Sequence, residues 1–311
     1  MSFAYIRLSR WELGGFRLLG PGLGNLLFPW ARAIKATHSH SLTPIWPSWP
    51  QIKIGTIIRG ERDPRFYSGL FRNPGNYVSG INKLSLLAHR RKIGEALLER
   101  EKNVGGIADR STIVVFEGVG QLFEPLVGHS GLITRELLRM TRPEHLAGLS
   151  HDFGKSITVH VRRGDFAPPN DSLLRAGRPN IRLPLSWVVE TIVILRAALG
   201  ADWRVWVFSD AHEDELEDLL RLPLVTRLHF GSSLADMLAM SCSTVLIPSS
   251  TFSFWSAFLG SAPCIYYPGQ VQRGLYKGAG LGEIARAPGA GLPNAFFDTV
   301  RLHERYRAAC Q

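Results

Sequence analysis

The chain has 311 residues, 36 Lys and Arg against 26 Asp and Glu for a formal charge of +10, and 45% hydrophobic residues. This composition excludes disordered, collagen-like and fibrous chains, and at roughly 100–200 residues per domain the length suits about two domains. Of the basic residues 29 are Arg, so the charge sits mainly on planar guanidinium forks suited to phosphate and carboxylate, although codon bias accounts for the same count.

Ala4–Leu8 reads as a strand, and the charges at Arg7, Arg10 and Glu12 interrupt the continuous apolar core that a secretory signal needs. Gly20, Gly22, Gly24 and Asn25 then precede a helical pattern over Leu26–Thr37. Thr43–Asn76 is rich in Pro, Trp, Gly and Arg and reads as irregular; Trp46 and Trp49 there form either a sugar-stacking wall or a packed loop. Helical patterns follow near Leu84–Arg100 and Gly131–Met140, with a strand at Ser111–Phe116 between them. A turn near Gly148–Lys155 sets the expected boundary, giving domains over 1–150 and 151–311.

The second half alternates more clearly. Ser156–Val161 is β-rich, and Leu185, Val188, Val189, Ile192, Leu195 and Leu199 recur at helical spacing. Trp203–Phe208 is again strand-like, after which Ser209 and Asp210 are expected to cap an acidic helix through Leu220 whose carboxylates form a solvated face. Val225–Phe230 is a short strand, and Ser233 is placed as the cap of a helix through Ser241. From Met237 to Gln272 no residue is charged, but Pro248, Pro263 and Pro268 break the run, which therefore reads as buried strands Ser243–Ile247 and Cys264–Tyr267 around a short helix rather than a membrane span. Five strands separated mostly by helices imply a parallel, doubly wound sheet.

Three stretches carry candidate chemistry. In His160-Val161-Arg162-Arg163-Gly164-Asp165 a hydrophobic strand ends in two arginines, a turn-permitting glycine and a carboxylate, at the strand end where open α/β sheets bind ligands. An arginine there clamps a diphosphate through paired charge-assisted hydrogen bonds, or the group is a surface Arg–Asp turn. Around Ser249, Ser250, Thr251 and Ser253 a buried strand runs into hydroxyls at a helix start, which binds phosphate or simply caps the helix. The glycines from Gly20 to Gly24 fit neither G-x-G-x-x-G nor a Walker sequence, so they let the backbone and Asn25 approach a ligand closely or merely make a tight turn.

Taken in order, Gly22-Leu23-Gly24-Asn25, His160 to Asp165, Ser209-Asp210, Asp236 with the helix after it, and Ser249 to Trp255 resemble the α-1,2-fucosyltransferases of glycosyltransferase family 11 and the wider superfamily that includes α-1,6- and protein O-fucosyltransferases. The resemblance implies an α/β, GT-B-like fold, with two Rossmann-like doubly wound domains facing across a cleft and the GDP-sugar bound by the C-terminal one. It implies catalytic roles for Arg162 and Asp165, and donor binding by His160, Arg162, Arg163, Asp210, Asp236, Ser250, Thr251 and Ser253. Gly22, Gly24 and Asn25 would line the cleft from the acceptor side. Where α-1,6 members carry a Glu shortly after Arg-Arg-x-Asp, this chain runs from Phe166 to Asn170 and Asp171, so no general base is assigned.

Cys242, Cys264 and Cys310 form no CxxC pair, and no Asp-x-Asp triplet is present. The resemblance implies inverting transfer of fucose from GDP-fucose to a glycan hydroxyl, and the missing triplet adds the expectation that the transfer is metal-independent, with no cofactor. The alternatives are another GDP-sugar, a non-catalytic nucleotide-sugar-binding protein, or a nucleic-acid-binding protein, the last disfavoured because no block of like charges exists. A cytoplasmic location, either free or peripheral to the inner face of a membrane, is expected.

Overall fold

A computed structural model describes residues 2–13, 15–18, 20–52, 66–101, 112–270, 274–276 and 282–310. The chain divides into two compact units, Met1–Arg142 and Pro143–Gln311.

The first unit contains β1 (Phe3–Arg7), β2 (Glu12–Leu13), β3 (Phe16–Leu18), α1 (Leu23–His40), β4 (Thr43–Ile45), β5 (Gln51–Ile52), α2 (Gly80–His89), β6 (Lys92–Gly94), α3 (Glu95–Glu101), β7 (Ile113–Glu117) and α4 (Ser130–Met140). Its main sheet has the order β4-β1-β7-β6, and every pairing in it is parallel. Alternation along β1 sends Tyr5 towards Leu86 and Leu87 of α2, while Ala4 and Ile6 face the opposite side. A smaller sheet, β2-β3-β5, stands apart from it.

The second unit contains β8 (Ser156–Val161), α5 (Asp171–Arg175), α6 (Leu185–Leu199), β9 (Arg204–Ser209), α7 (Glu217–Leu220), β10 (Val225–Arg227), α8 (Ser233–Met240), β11 (Val245–Ile247), α9 (Thr251–Gly260), β12 (Cys264–Tyr266), β13 (Glu283–Ala285) and α10 (Asn294–Cys310). The six-stranded sheet runs β10-β9-β8-β11-β12-β13 with all pairings parallel. Counted from β8, that is the 3-2-1-4-5-6 order of a Rossmann sheet. Ile157, Val159 and Val161 of β8 pack with Trp187, Val188, Ile192 and Leu195 of α6 and with Phe296 and Val300 of α10. The alternate residues, Thr158 and His160, face the layer formed by α8 and α9. Both main units are thus doubly wound α/β layers, as the sequence implies.

Several boundaries differ from expectation. The pattern over Leu84–Arg100 is two helices, α2 and α3, separated by β6, because the Arg90–Arg91 stretch extends and Lys92–Gly94 pairs with β7. Helix α1 begins three residues early, at Leu23, since the Tyr67 hydroxyl accepts the Leu23 N–H at 2.9 Å and caps the end from 44 residues away. Consequently Gly24 and Asn25 lie in its first turn. Ser232, not Ser233, caps α8 by accepting the Ala235 N–H at 3.2 Å. Ser209 ends β9, and Asp210 caps no helix: the acidic stretch is a 3-10 turn at Asp214–Leu216 followed by the short α7. The expected irregular segment Thr43–Asn76 contains β4 and β5, and its residues 53–65 lie outside the described residues. Trp49 is buried against Phe71 with ring centroids 4.2 Å apart, the packed-loop alternative, and Trp46 meets Tyr77 edge-on.

Candidate functional site at the sheet switch point

In the second unit the chain leaves β8 towards β9 on one side and later returns to lay β11 on the other, so the strand order reverses between β8 and β11. Open α/β sheets leave a crevice beyond the carboxyl ends of such a strand pair. The residues at those ends are Arg162 to Asp165 after β8 and Pro248 to Ser253 after β11.

His160 joins the two. It is the fifth residue of a fully buried strand and faces α9, where its Nδ1 lies 2.9 Å from Ser249 Oγ and 3.0 Å from Ser253 Oγ, with the Phe252 ring 5.3 Å away. Ser253 Oγ also accepts the backbone N–H groups of Ser249 at 3.0 Å and Ser250 at 3.3 Å. One hydroxyl therefore fixes the turn that presents the N-terminus of α9, whose ten residues include no charged side chain. Burial pulls the His160 pKa down to about 4, an effect that Arg162 reinforces and Asp210 opposes, so the imidazole is neutral near pH 7.

A pH dependence follows from that depression. Between about pH 6.5 and pH 4 the unfolded chain binds a proton at His160 that the folded chain refuses, so stability falls as pH drops through this window and is unaffected by this group above it. Proton-detected titration of His160 in the folded protein is expected to show no inflection near pH 6.5, and a normal imidazole titration there would refute the buried neutral assignment.

Arg162 projects from the end of β8 with a fifth of its side chain exposed. Its Nη2 donates to Asp165 Oδ1 at 2.6 Å and its Nη1 lies 2.5 Å from Asp210 Oδ2, while the guanidinium carbon sits 5.5 Å from the Phe166 ring. Two carboxylates and an aromatic face thus set the plane of the fork. Asp210, just past β9, also accepts the Arg163 backbone N–H at 2.8 Å through Oδ1, tying the β8 turn to the neighbouring strand end. A Cβ on Gly164 would lie 2.4 Å from Asp210 Oδ2, so glycine leaves the carboxylate its place against the turn. Arg163 is buried, reaches the Leu183 carbonyl only at 3.5 Å, and has its guanidinium pKa lowered by burial and then by Arg182.

The structure therefore brings His160, Arg162, Arg163, Asp165 and Asp210 together around the end of β8, and Ser250, Thr251 and Ser253 beside them at the start of α9. Asp236 sits in the first turn of α8, where Oδ1 accepts the Phe230 N–H at 2.7 Å and Oδ2 lies 2.8 Å from His229 Nδ1. It organises the loop after β10. Gly22, Gly24 and Asn25 belong to the first unit, at the N-terminus of α1. Asp171 accepts the Tyr267 hydroxyl and pairs with Arg175 at 2.8 Å, and these bonds hold its pKa below the usual carboxylate value. Sequence reasoning gave no role to Phe252 or Phe166 and did not pair Ser249 with His160, because these positions depend on contacts across the sheet; the odd–even alternation that puts His160 on the α9 face was the available signal. Among the described residues no group of three His, Cys, Asp or Glu side chains is placed to hold a metal ion, and no helix is long and apolar enough to cross a membrane.

No protein-family model matches the chain, and no curated protein matches it either. Among solved structures, it is similar to the fucosyltransferase NodZ from Bradyrhizobium at 18% identity and a TM-score of 0.45, over 86% of this chain and 96% of that one. It is also similar to POFUT1 in complex with GDP, at 12% identity and a TM-score of 0.48, over 93% of this chain and 98% of that one. These likenesses are long but distant, and the functional reading rests on the geometry of the site.

Proposed function

We propose that the chain is a glycosyltransferase whose second unit binds a GDP-sugar at the switch point and transfers the sugar, as fucose and with inversion, to a hydroxyl of a glycan held by the first unit. The observation that carries this reading is the convergence, at the reversal of a 3-2-1-4-5-6 sheet, of an oriented guanidinium fork with the N-terminus of α9. A diphosphate needs both features: paired donors for its oxygens and the positive end of a helix for its charge.

In this reading Arg162 clamps the diphosphate, with Arg163 and the backbone of Ser250 and Thr251 completing the cradle. Neutral His160 holds the Ser249 and Ser253 hydroxyls and adds no charge of its own. Asp165 orients Arg162 and faces the reacting sugar; Asp210 positions both the fork and the turn. Asp236 fixes the loop that borders the guanine, and Gly22, Gly24 and Asn25 let the acceptor approach the first unit closely. Departing GDP gains its negative charge as the sugar becomes cationic, and fixed donors aimed at that charge stabilise the transition state without reorganising. The protein acts in the cytoplasm, free or against the inner face of a membrane to which its net charge of +10 attracts it.

In this reading the arginines supply the charge neutralisation that a bridging cation supplies in metal-dependent transferases, so GDP release from GDP-fucose in the presence of a mixed glycan acceptor pool is expected to survive dialysis against EDTA. Activity that disappears on chelation and returns with Mg²⁺ or Mn²⁺ overturns the metal-independent mechanism. GDP release with no transfer of the sugar to any acceptor overturns the transferase reading itself.

A further inference from the structure

The small sheet of the first unit holds a charge that its surroundings do not answer. Arg17 of β3 and Gln51 of β5 are direct cross-strand partners, so their side chains share one face. Arg17 is 0% exposed and Gln51 2%, yet Nε, Nη1 and Nη2 of the guanidinium and both polar atoms of the amide have no hydrogen-bond partner among the described residues. Leaving a buried guanidinium unpaired is among the costliest arrangements a chain can retain.

Nearby charges do not resolve it. Glu12 lies opposite Arg17 on β2, but its carboxylate is taken by the N–H groups of Leu8 and Ser9 and by the hydroxyls of Tyr5 and Ser48. Lys83 is also buried, donates to the Trp46 carbonyl and Ser48 Oγ, and already has Glu12 as its nearby negative charge. Among the described residues Arg17, Lys83 and Glu12 therefore leave one positive charge in excess. Burial pulls the Arg17 pKa down to about 10, still far above neutrality, so the guanidinium stays charged.

The two side chains converge. A Cβ on Gly20 would lie 2.2 Å from Arg17 Nη1 and 3.1 Å from Gln51 Oε1, so both heads press on the same glycine backbone, two residues before the Gly22 cap of the 18-residue α1. The positive end of that helix adds to the field, its first turn contains no acidic residue, and the Tyr67 ring closes another side, 5.8 Å from the guanidinium. Gly20 has φ +148°, a conformation that suits glycine, and the backbone there must swing off the guanidinium for a ligand to enter.

We propose that Arg17 and Gln51 form a binding site for one oxyanion of an anionic saccharide, the charged group of the acceptor. Resting on the reading of the first unit as the acceptor side, this inference names the acceptor's class. The fork matches two oxygens of a carboxylate, sulfate or phosphate, and Gln51 supplies one donor and one acceptor for the oxyanion and a hydroxyl beside it. A neutral sugar satisfies neither the charge nor the fork.

The test is calorimetric titration of the full chain with glucuronate, glucose 6-phosphate and glucose, and of Arg17→Met and Gln51→Leu with the same sugars. At least one of the two acidic sugars is expected to bind, with glucose at least tenfold weaker, and Arg17→Met is expected to lose the binding by tenfold or more. Which acid binds separates a carboxylate from a phosphate ligand. In anion-free buffer Arg17→Met is expected to melt about 2–4 °C higher, because it removes an unpaired buried charge while keeping the aliphatic stem. A purely structural arginine predicts a lower melting temperature instead. Binding of all three sugars alike, binding of none, or acid binding unchanged in both variants overturns the site. GDP binding, measured in parallel at the Arg162 site, reports on the transferase reading separately: its absence in the wild type defeats that reading without touching the sugar titration.

Discussion

Arg162→Ala is expected to abolish measurable GDP and GDP-fucose binding, a loss on the order of 2–5 kcal/mol, while the melting temperature changes little. The two effects separate because of where the side chain sits. Its pairs with Asp165 and Asp210 are short but partly solvated, and ion pairs of that kind contribute little to folding. In the proposed complex the same guanidinium would meet a diphosphate, whose desolvation on binding would make truncation leave negative charge without its partner. Arg162→Lys keeps the charge but cannot bond both carboxylates and the diphosphate from one planar fork, so it recovers only a fraction of the affinity. Calorimetry with GDP checks both variants. Unchanged GDP affinity in the alanine variant would falsify the clamp and, with it, the placement of the donor at this switch point.

What the sequence discloses about this site follows from the range of the forces that build it. The bounds of β8 and α6 are legible because a parallel strand buried on both faces is a continuous apolar run, and because Val188, Ile192 and Leu195 repeat at helical spacing. Arg162 and Arg163 are legible for the same reason, since they end that run. β13 escapes notice: three residues, Glu283–Ala285, carry too little pattern, and only pairing with β12 makes them a strand. Asp210 looks like a helix cap because Asp before an acidic stretch usually is one; its true partners, Arg162 and the Arg163 N–H, are 48 and 47 residues away and come within reach only when β8 and β9 pair. Arg17 is the extreme case. Nothing local distinguishes it from the other arginines, and its isolation arises from the pairing of β3 with β5.

The second large effect is expected from a substitution that removes no functional group. Gly164→Ala places a methyl 2.4 Å from Asp210 Oδ2, closer than any non-bonded carbon and oxygen tolerate, so the carboxylate or the turn must move. Asp210 is the piece with freedom to move, and its displacement breaks both the Arg163 N–H bond at 2.8 Å and the Arg162 contact at 2.5 Å. The fork then loses one of the two carboxylates that set its plane, and a misaligned clamp is a poor one. Loss of these contacts corresponds to about 1–3 kcal/mol, so GDP affinity is expected to fall roughly 5- to 150-fold. Gly131→Ala serves as the control, because a Cβ at that position in α4 meets nothing within 4 Å and is expected to leave binding intact. A double-mutant cycle assigns the cause. If the methyl acts by displacing the carboxylate, Asp210→Ala in the Gly164→Ala background costs little more affinity than Gly164→Ala alone, a strongly non-additive result. Additive losses place the damage elsewhere in the turn, and wild-type affinity in Gly164→Ala shows that Asp210 does not position the clamp.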